Sequence, residues 1–275
     1  MGYISSESIE EISESLARVD KNILFALMFV FLTLTTKYLF IPFAIIFGLI
    51  ETIIYGFKNI NNEDININKT KYELYQTILY LFLVILEFLT LNQSNIIILN
   101  PYYSTLEEVW KNPIAPVYTY ILYQIIIGHY IQSIIRQLSN WSNDLPLFIH
   151  HLLTTGLACY AYNNNIEMMA IYTLFIHDIS DIFLHYGKYL YYTNSGFLWV
   201  LIDYILLLSS WFYFRLFIIP YICYSIMTEA PIYTIISMNE WNGPLMLFSV
   251  GILYICHLYW TYKLLSIGIK IVRES

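Results

Sequence analysis

Residues 177–185, HDISDIFLH, put His177, Asp178, Asp181 and His185 within nine positions of a chain that is 58% hydrophobic and 12% charged. Imidazole beside carboxylate suits acyl transfer: the ring attacks a thioester or deprotonates an amine, and the carboxylate orients it. It also suits a metal ion, for which H-x3-D-x3-H is a workable spacing on one helix face. No Gly or Pro occurs between 166 and 186, so the stretch reads as helix. At about 100° per residue, with His177 at zero, Lys188 falls near 20°, Asp181 near 40°, Tyr192 near 60°, His185 near 80° and Asp178 near 100°. The six share one arc. From His177 to Lys188 the stripe runs about 16 Å, roughly half the hydrocarbon thickness. A charge at mid-membrane costs about 2.5–3.5 kcal/mol, so the stripe must face a bundle interior or a wet cavity.

A second cluster precedes it in LPLFIHHLLTTGLACY: His150 and His151, with Thr154 and Thr155 one turn on. Adjacent helical residues project about 100° apart, so one His of the pair points at a common centre while the other supports it. A hairpin of these two helices would bring both clusters to similar depth. The H-x-x-H-H boxes of membrane di-iron oxygenases are absent, and six His are too few for such a set. No metal is assigned; a zinc-dependent lipid amide hydrolase remains an alternative class.

The elements that must position these groups are membrane helices. Mean hydropathy is +0.59, aromatics make up 18%, and long apolar runs recur, giving an all-α polytopic bundle. Candidate spans are 22–41 (or on to 57), 72–92, 115–137, 146–163, 166–189, 197–226 and 242–268, about seven transmembrane helices. An acidic segment, 1–21, precedes a membrane anchor region, 22–57; a polar stretch, KNINNEDININKTK, separates these from one helical domain over 70–272. Lys58, Lys69, Lys71, Arg136, Lys188, Lys270 and Arg273 fall on one side, against Arg18, Lys21 and Lys111 on the other. That favours a lumenal N-terminus and a cytosolic C-terminus. Basic residues are too scattered for nucleic acid. Cys159, Cys223 and Cys256 lie in apolar segments without disulfide or zinc spacing.

At the two polar clusters the chain resembles the ceramide synthases, the sphingoid-base N-acyltransferases of the TLC-domain superfamily. Their signature runs H-H-x-x-T, then S-Y and N, R-x-G, H-D-x-x-D-x-x-L-E-x-x-K and a closing Tyr. His150, His151 and Thr154 match its opening, Tyr162 and Asn164 its middle, and His177, Asp178, Asp181, Leu184, Lys188 and Tyr192 its end. WFYFRLFIIP, with Trp211, Arg215 and Pro220, is similar to a W-x-x-x-R-L-x-x-x-P segment, and ILYICHLYW, with His257 and Trp260, to L-H-x-x-W. Met168 and Ala170 stand where the family has Arg and Gly, and His185 where it has Glu. The Arg and Glu either form an ion pair replaced as a unit or mark altered substrate handling.

The resemblance implies transfer of a fatty acyl group from acyl-CoA, as co-substrate and without a cofactor, to the amine of a sphingoid base in the endoplasmic reticulum membrane. Homo- or hetero-oligomers with other synthase subunits are compatible with it. His150, His151, His177, Asp178 and Asp181 are then the catalytic set, and Lys188, Tyr192, Thr154, Asn164 and Arg215 contact substrate. Asp203 and Arg215 are expected to pair with neighbouring helices, and His129 and His257 to be structural or supporting. A non-catalytic TLC-domain protein of the translocon-associated type is the other alternative. The segment 227–241 is where the family tunes acyl-chain length.

Overall fold

The computed structural model describes residues 40–55, 62–94, 96, 103–116, 119–140, 144–234 and 236–274. The acidic segment 1–21, nearly all of the first candidate span, and Lys58 lie outside these. The described elements are α1 (Phe40–Tyr55), α2 (Asn62–Gln93), α3 (Tyr103–Lys111), α4 (Thr119–Asn140), α5 (Leu145–Asn163), α6 (Glu167–Tyr192) and α7 (Phe197–Ser210). A π-helical stretch (Trp211–Ile218), α8 (Ile219–Thr228), α9 (Ala230–Tyr233) and α10 (Asn242–Glu274) follow. Among the described residues there is no strand.

Five of the candidate segments are helical with small shifts, 197–226 as three successive elements, and α2 begins ten residues before its expected start, inside the polar segment. The short helix α3 was not expected: nine residues of mixed polarity carry little periodic signal. Its Lys111 and the Tyr233 hydroxyl of α9 both donate to Glu107, holding that carboxyl below the ordinary carboxylate value. Among the described residues, three stretches are long and apolar enough to cross a bilayer: Ile67–Gln93, Phe197–Thr228 and Asn242–Ile269. Helices α4, α5 and α6 have 22, 19 and 26 residues, but inward polar groups dilute their hydropathy.

Polarity is inverted relative to a water-soluble domain. Helix α2 exposes Ile78, Leu81, Phe82, Ile85 and Leu89 while burying Glu73, Gln76, Glu87 and Thr90. Only a hydrocarbon surround makes that arrangement favourable, because a polar side chain facing lipid has no partner there. α2 packs most extensively along α6, and α1 lies against α4.

The α1–α4 contact depends on Gly128. A Cβ there would come within 2.6 Å of the Phe43 Cβ and 3.0 Å of the Ala44 nitrogen. Gly128→Ala is expected to destabilise the fold by about 1–3 kcal/mol through overpacking, read as a lower unfolding midpoint of the purified protein in detergent.

The α5–α6 hairpin sets the depth of the two polar clusters. Asp144 caps α5 by accepting from the Leu147 N–H, and Pro146 sits in the first turn, where its missing N–H costs nothing. At the other end Asn165 adopts φ 55°, and the Ile166 N–H reaches back to the Ala161 carbonyl at 2.9 Å. This left-handed closure lets α6 start at once in the antiparallel direction. His150 lies 14 residues before Asn164 and His177 lies 11 after Ile166. At about 1.5 Å per residue these are roughly 21 and 16 Å from the turn.

Candidate active site

The hairpin brings His150 and His177 together, with ring centroids 5.7 Å apart, and α10 adds His257, 5.6 Å from His150 and 4.9 Å from His177. Trp260 closes one side, edge-on to His150 at 5.2 Å. His257 is fully buried, and neither ring nitrogen has a hydrogen-bond partner. The sequence expectation made it merely supporting; its signal was the i,i+3 spacing to Trp260, which puts both on one helix face.

Hydrogen bonds decide how each imidazole is presented. Nδ1 of His177 lies 2.6 Å from the Thr173 carbonyl. A carbonyl only accepts, so Nδ1 carries the proton and the Nε2 lone pair, buried without a partner, points into the cluster. His151 is set the opposite way: the Gln137 amide N–H donates to its Nδ1 at 2.8 Å, leaving the proton on Nε2. Its ring meets Tyr130 edge-on at 5.7 Å. His150 and His151 are thus presented differently, and of the pair only His150 lies in the three-imidazole cluster.

Both rings line a cavity of about 320 Å³ between α2, α4, α5, α6 and α10. Arg136, Lys188 and Lys263, each in the C-terminal part of its helix, also line it, along with Glu73 and Asp144. Beyond the cluster a narrow apolar cavity of about 50 Å³ continues, lined by His177, Thr154, Ala158, Ala161, Met169 and Met246. The Thr154 hydroxyl has no partner there, whereas Thr155 bonds back to the His151 carbonyl.

The polar arc of α6 divides among several neighbours. Asp181 lines the imidazole cavity and takes a hydrogen bond from Arg215 at 2.6 Å. Arg215 also donates from Nε to Ser180 at 2.6 Å and from its terminal nitrogen to the His177 carbonyl at 2.8 Å, and it stacks over Trp211. It is a clamp on α6 as well as a cavity residue. The clamp sits in the π-helical stretch, which ends just before Pro220; a proline has no N–H to return to the preceding turn, and the wider helix accommodates this. His185 donates to Glu73 at 2.6 Å and stacks on Tyr80. An ion pair exchanged for Met168 and His185 as a unit is ruled out: they are 17 residues apart on one continuous helix, about 25 Å.

Asp178 points elsewhere. It is fully buried, accepts from the Tyr130 hydroxyl at 3.3 Å and faces Glu87 of α2. It lines neither cavity. Asn164 is the C-cap residue of α5, its amide donating to the Tyr160 carbonyl, and also lines neither. Tyr192 lies in a separate hollow on the far side of Lys188. Asp203 is not paired as expected; its Oδ1 has no partner. A zinc site needs three donors on one centre, and among the described residues no such group of His, Cys, Asp or Glu occurs.

The stretch that carries the clustered imidazoles falls within the match to a known family. Residues 69–266, well over half of the chain, fit the model of the TLC domain. The chain belongs to the TLC-domain family. Its curated relatives include ceramide synthase hyl-1 of Caenorhabditis elegans, 28% identical over 157 residues that cover 54% of this chain and 41% of the relative. Ceramide synthase LOH2 of Arabidopsis thaliana is 24% identical over 173 residues, 60% of this chain and 57% of the relative. Sphingosine N-acyltransferase lag1 of Schizosaccharomyces pombe is 28% identical over 132 residues, 45% and 31%. The chain spans roughly a third to somewhat over half of the length of these relatives. The resemblance to ceramide synthases in the sequence is therefore supported by independent comparison, and the TLC domain is a membrane domain with apolar spanning helices.

Proposed function

We propose that this TLC-domain protein transfers a fatty acyl group from acyl-CoA to the amine of a sphingoid base, giving ceramide or dihydroceramide. It acts as a seven-span protein of the endoplasmic reticulum membrane with its C-terminus in the cytosol. The observation that carries this is the three-imidazole cluster, one member of which, His150, lines a cavity that Arg136, Lys188 and Lys263 also line. Cations in that wall suit the phosphates of CoA, and desolvated imidazoles suit the thioester.

In the first step the cavity-facing nitrogen of His150 bonds to the thioester carbonyl carbon and the carbon–sulfur bond breaks, releasing CoA thiolate. The His151 Nε2–H supports the developing oxyanion. In the second, the amine nitrogen bonds to the same carbon and the bond to His150 breaks. The substrate ammonium loses two protons overall, one to make the free amine and one on forming the amide. His177 Nε2 is the acceptor in the cluster; one proton ends on the CoA thiolate and the other leaves to solvent. Asp181, held by Arg215, neutralises the ammonium as it enters. The acyl tail extends towards the narrow cavity, where the flexible side chains of Met169 and Met246 can yield.

The tautomer of His151 has its own test. Gln137→Leu removes the donor to Nδ1, so the Nε2 proton is no longer fixed. Turnover is expected to fall by about tenfold or more with the KM for acyl-CoA unchanged, measured by steady-state release of CoA. The function itself is tested by giving purified protein a panel of acyl-CoAs and long-chain bases and detecting N-acyl products by mass spectrometry. Activity lost to a chelator, with bound metal in the pure protein, would favour the hydrolase class instead.

A further inference from the structure

A second hollow, of about 390 Å³, lies between α6, α7 and α10. Leu184, Lys188, Leu264 and Ile267 form part of its wall and part of the wall of the imidazole cavity, so the two spaces adjoin. Its lining is mainly aliphatic and aromatic, with one acid, Asp203, and one cation, the exposed Lys188. Asp203 is only 4% exposed, and its Oδ1 has no hydrogen-bond partner, Lys188 included. An unpaired buried carboxylate is costly to keep in an apolar wall, and a cation supplied from outside would relieve that cost.

The opposite wall is shaped to admit the carboxylate. A Cβ on Gly187 of α6 would collide with Asp203 Oδ2. A side chain at 187 would therefore force the Asp203 carboxylate to shift. Depth and surroundings point to lipid as the source of the cation. Asp203 is six residues from the start of α7, about 9 Å along the helix, and Tyr191 and Tyr192 line the same hollow from the last turn of α6. Tyrosines at span ends sit at headgroup level. Phe197, Leu198, Trp199 and Ile202 in the first turns of α7 are exposed, an apolar surface suited to lipid.

We propose that this hollow is the docking site for the acyl acceptor, a long-chain primary amine entering from the membrane with its ammonium on Asp203 and its hydroxyls among the tyrosines. From there the headgroup passes the shared wall of Leu184 and Leu264 to reach the imidazole cluster. The identity of the amine as an acyl acceptor rests on the acyl-transfer reading; the site as a cation-selective lipid pocket does not.

The test is binding of sphinganine, against octadecanol as an uncharged control, to the full chain in phosphatidylcholine nanodiscs. Loss of one charge-assisted contact predicts at least about tenfold weaker sphinganine binding by Asp203→Asn, with octadecanol and acyl-CoA binding unchanged. Equal sphinganine binding by the variant overturns the site. Should the variant not fold, photoreactive sphinganine on the wild-type protein is expected to label the 187–207 segment, and adducts confined to other segments overturn it equally. A wild-type protein that binds the amine through Asp203 but makes no amide contradicts the acyl-transfer proposal alone. One that makes amide while Asp203→Asn binds sphinganine normally contradicts this site alone.

Discussion

His150→Ala is expected to lower amide formation by about a thousandfold or more while leaving the fold intact. His150 is the member of the pair in contact with both His177 and His257, and its ring lines the cavity that must admit the thioester. Removing a nucleophile takes away the covalent route entirely, which is why the effect should exceed that of losing a supporting donor. For His151→Ala the expected loss is smaller, about a hundred- to a thousandfold, because that ring supplies an N–H to the oxyanion. Initial rates measured by mass spectrometry, beside unfolding midpoints for each variant, separate chemistry from stability. Equal losses in the two variants would contradict the division of roles set by Gln137.

The second large effect concerns the clamp. Arg215 is 2% exposed and joins Asp181, Ser180 and the His177 carbonyl to α7's continuation. Arg215→Met leaves the Asp181 carboxylate without its cation in a low-dielectric interior, a loss of about 3–5 kcal/mol. The unfolding midpoint in detergent should fall sharply. Removing both partners abolishes the stranded charge, so Arg215→Met with Asp181→Leu is expected to be more stable than Arg215→Met alone. A double variant less stable than the single one would show that Arg215 acts through contacts other than the ion pair.

Much of this site was legible in the sequence because helical period is strict. Spacing alone puts His177, Asp181, His185 and Lys188 on one arc, and all but His177 line the imidazole cavity, with His177 lining the narrow apolar one. The similar depth of His150 and His177 followed from the short α5–α6 connection. What the spacing could not supply is which neighbour meets each edge of an arc about 100° wide. Asp178, on one edge, turns towards Tyr130 and Glu87 from α4 and α2, and Tyr192 falls into a different hollow. The partners of the imidazoles were hidden for the same reason. Gln137 and Glu73 are ordinary polar residues in their own helices, and only the packing of α4 and α2 against α5 and α6 gives them a function. His257 was visible as a motif residue, but its place in the cluster depends on where α10 crosses the hairpin.

The most direct measurement gives the purified full chain isotope-labelled sphinganine with saturated acyl-CoAs and follows labelled N-acyl product and free CoA together. Wild-type protein should form both in equal amounts, and His150→Ala should form neither above background. No labelled amide from folded wild-type protein with any acyl-CoA, or undiminished amide from His150→Ala, would contradict acyl transfer through the imidazole cluster.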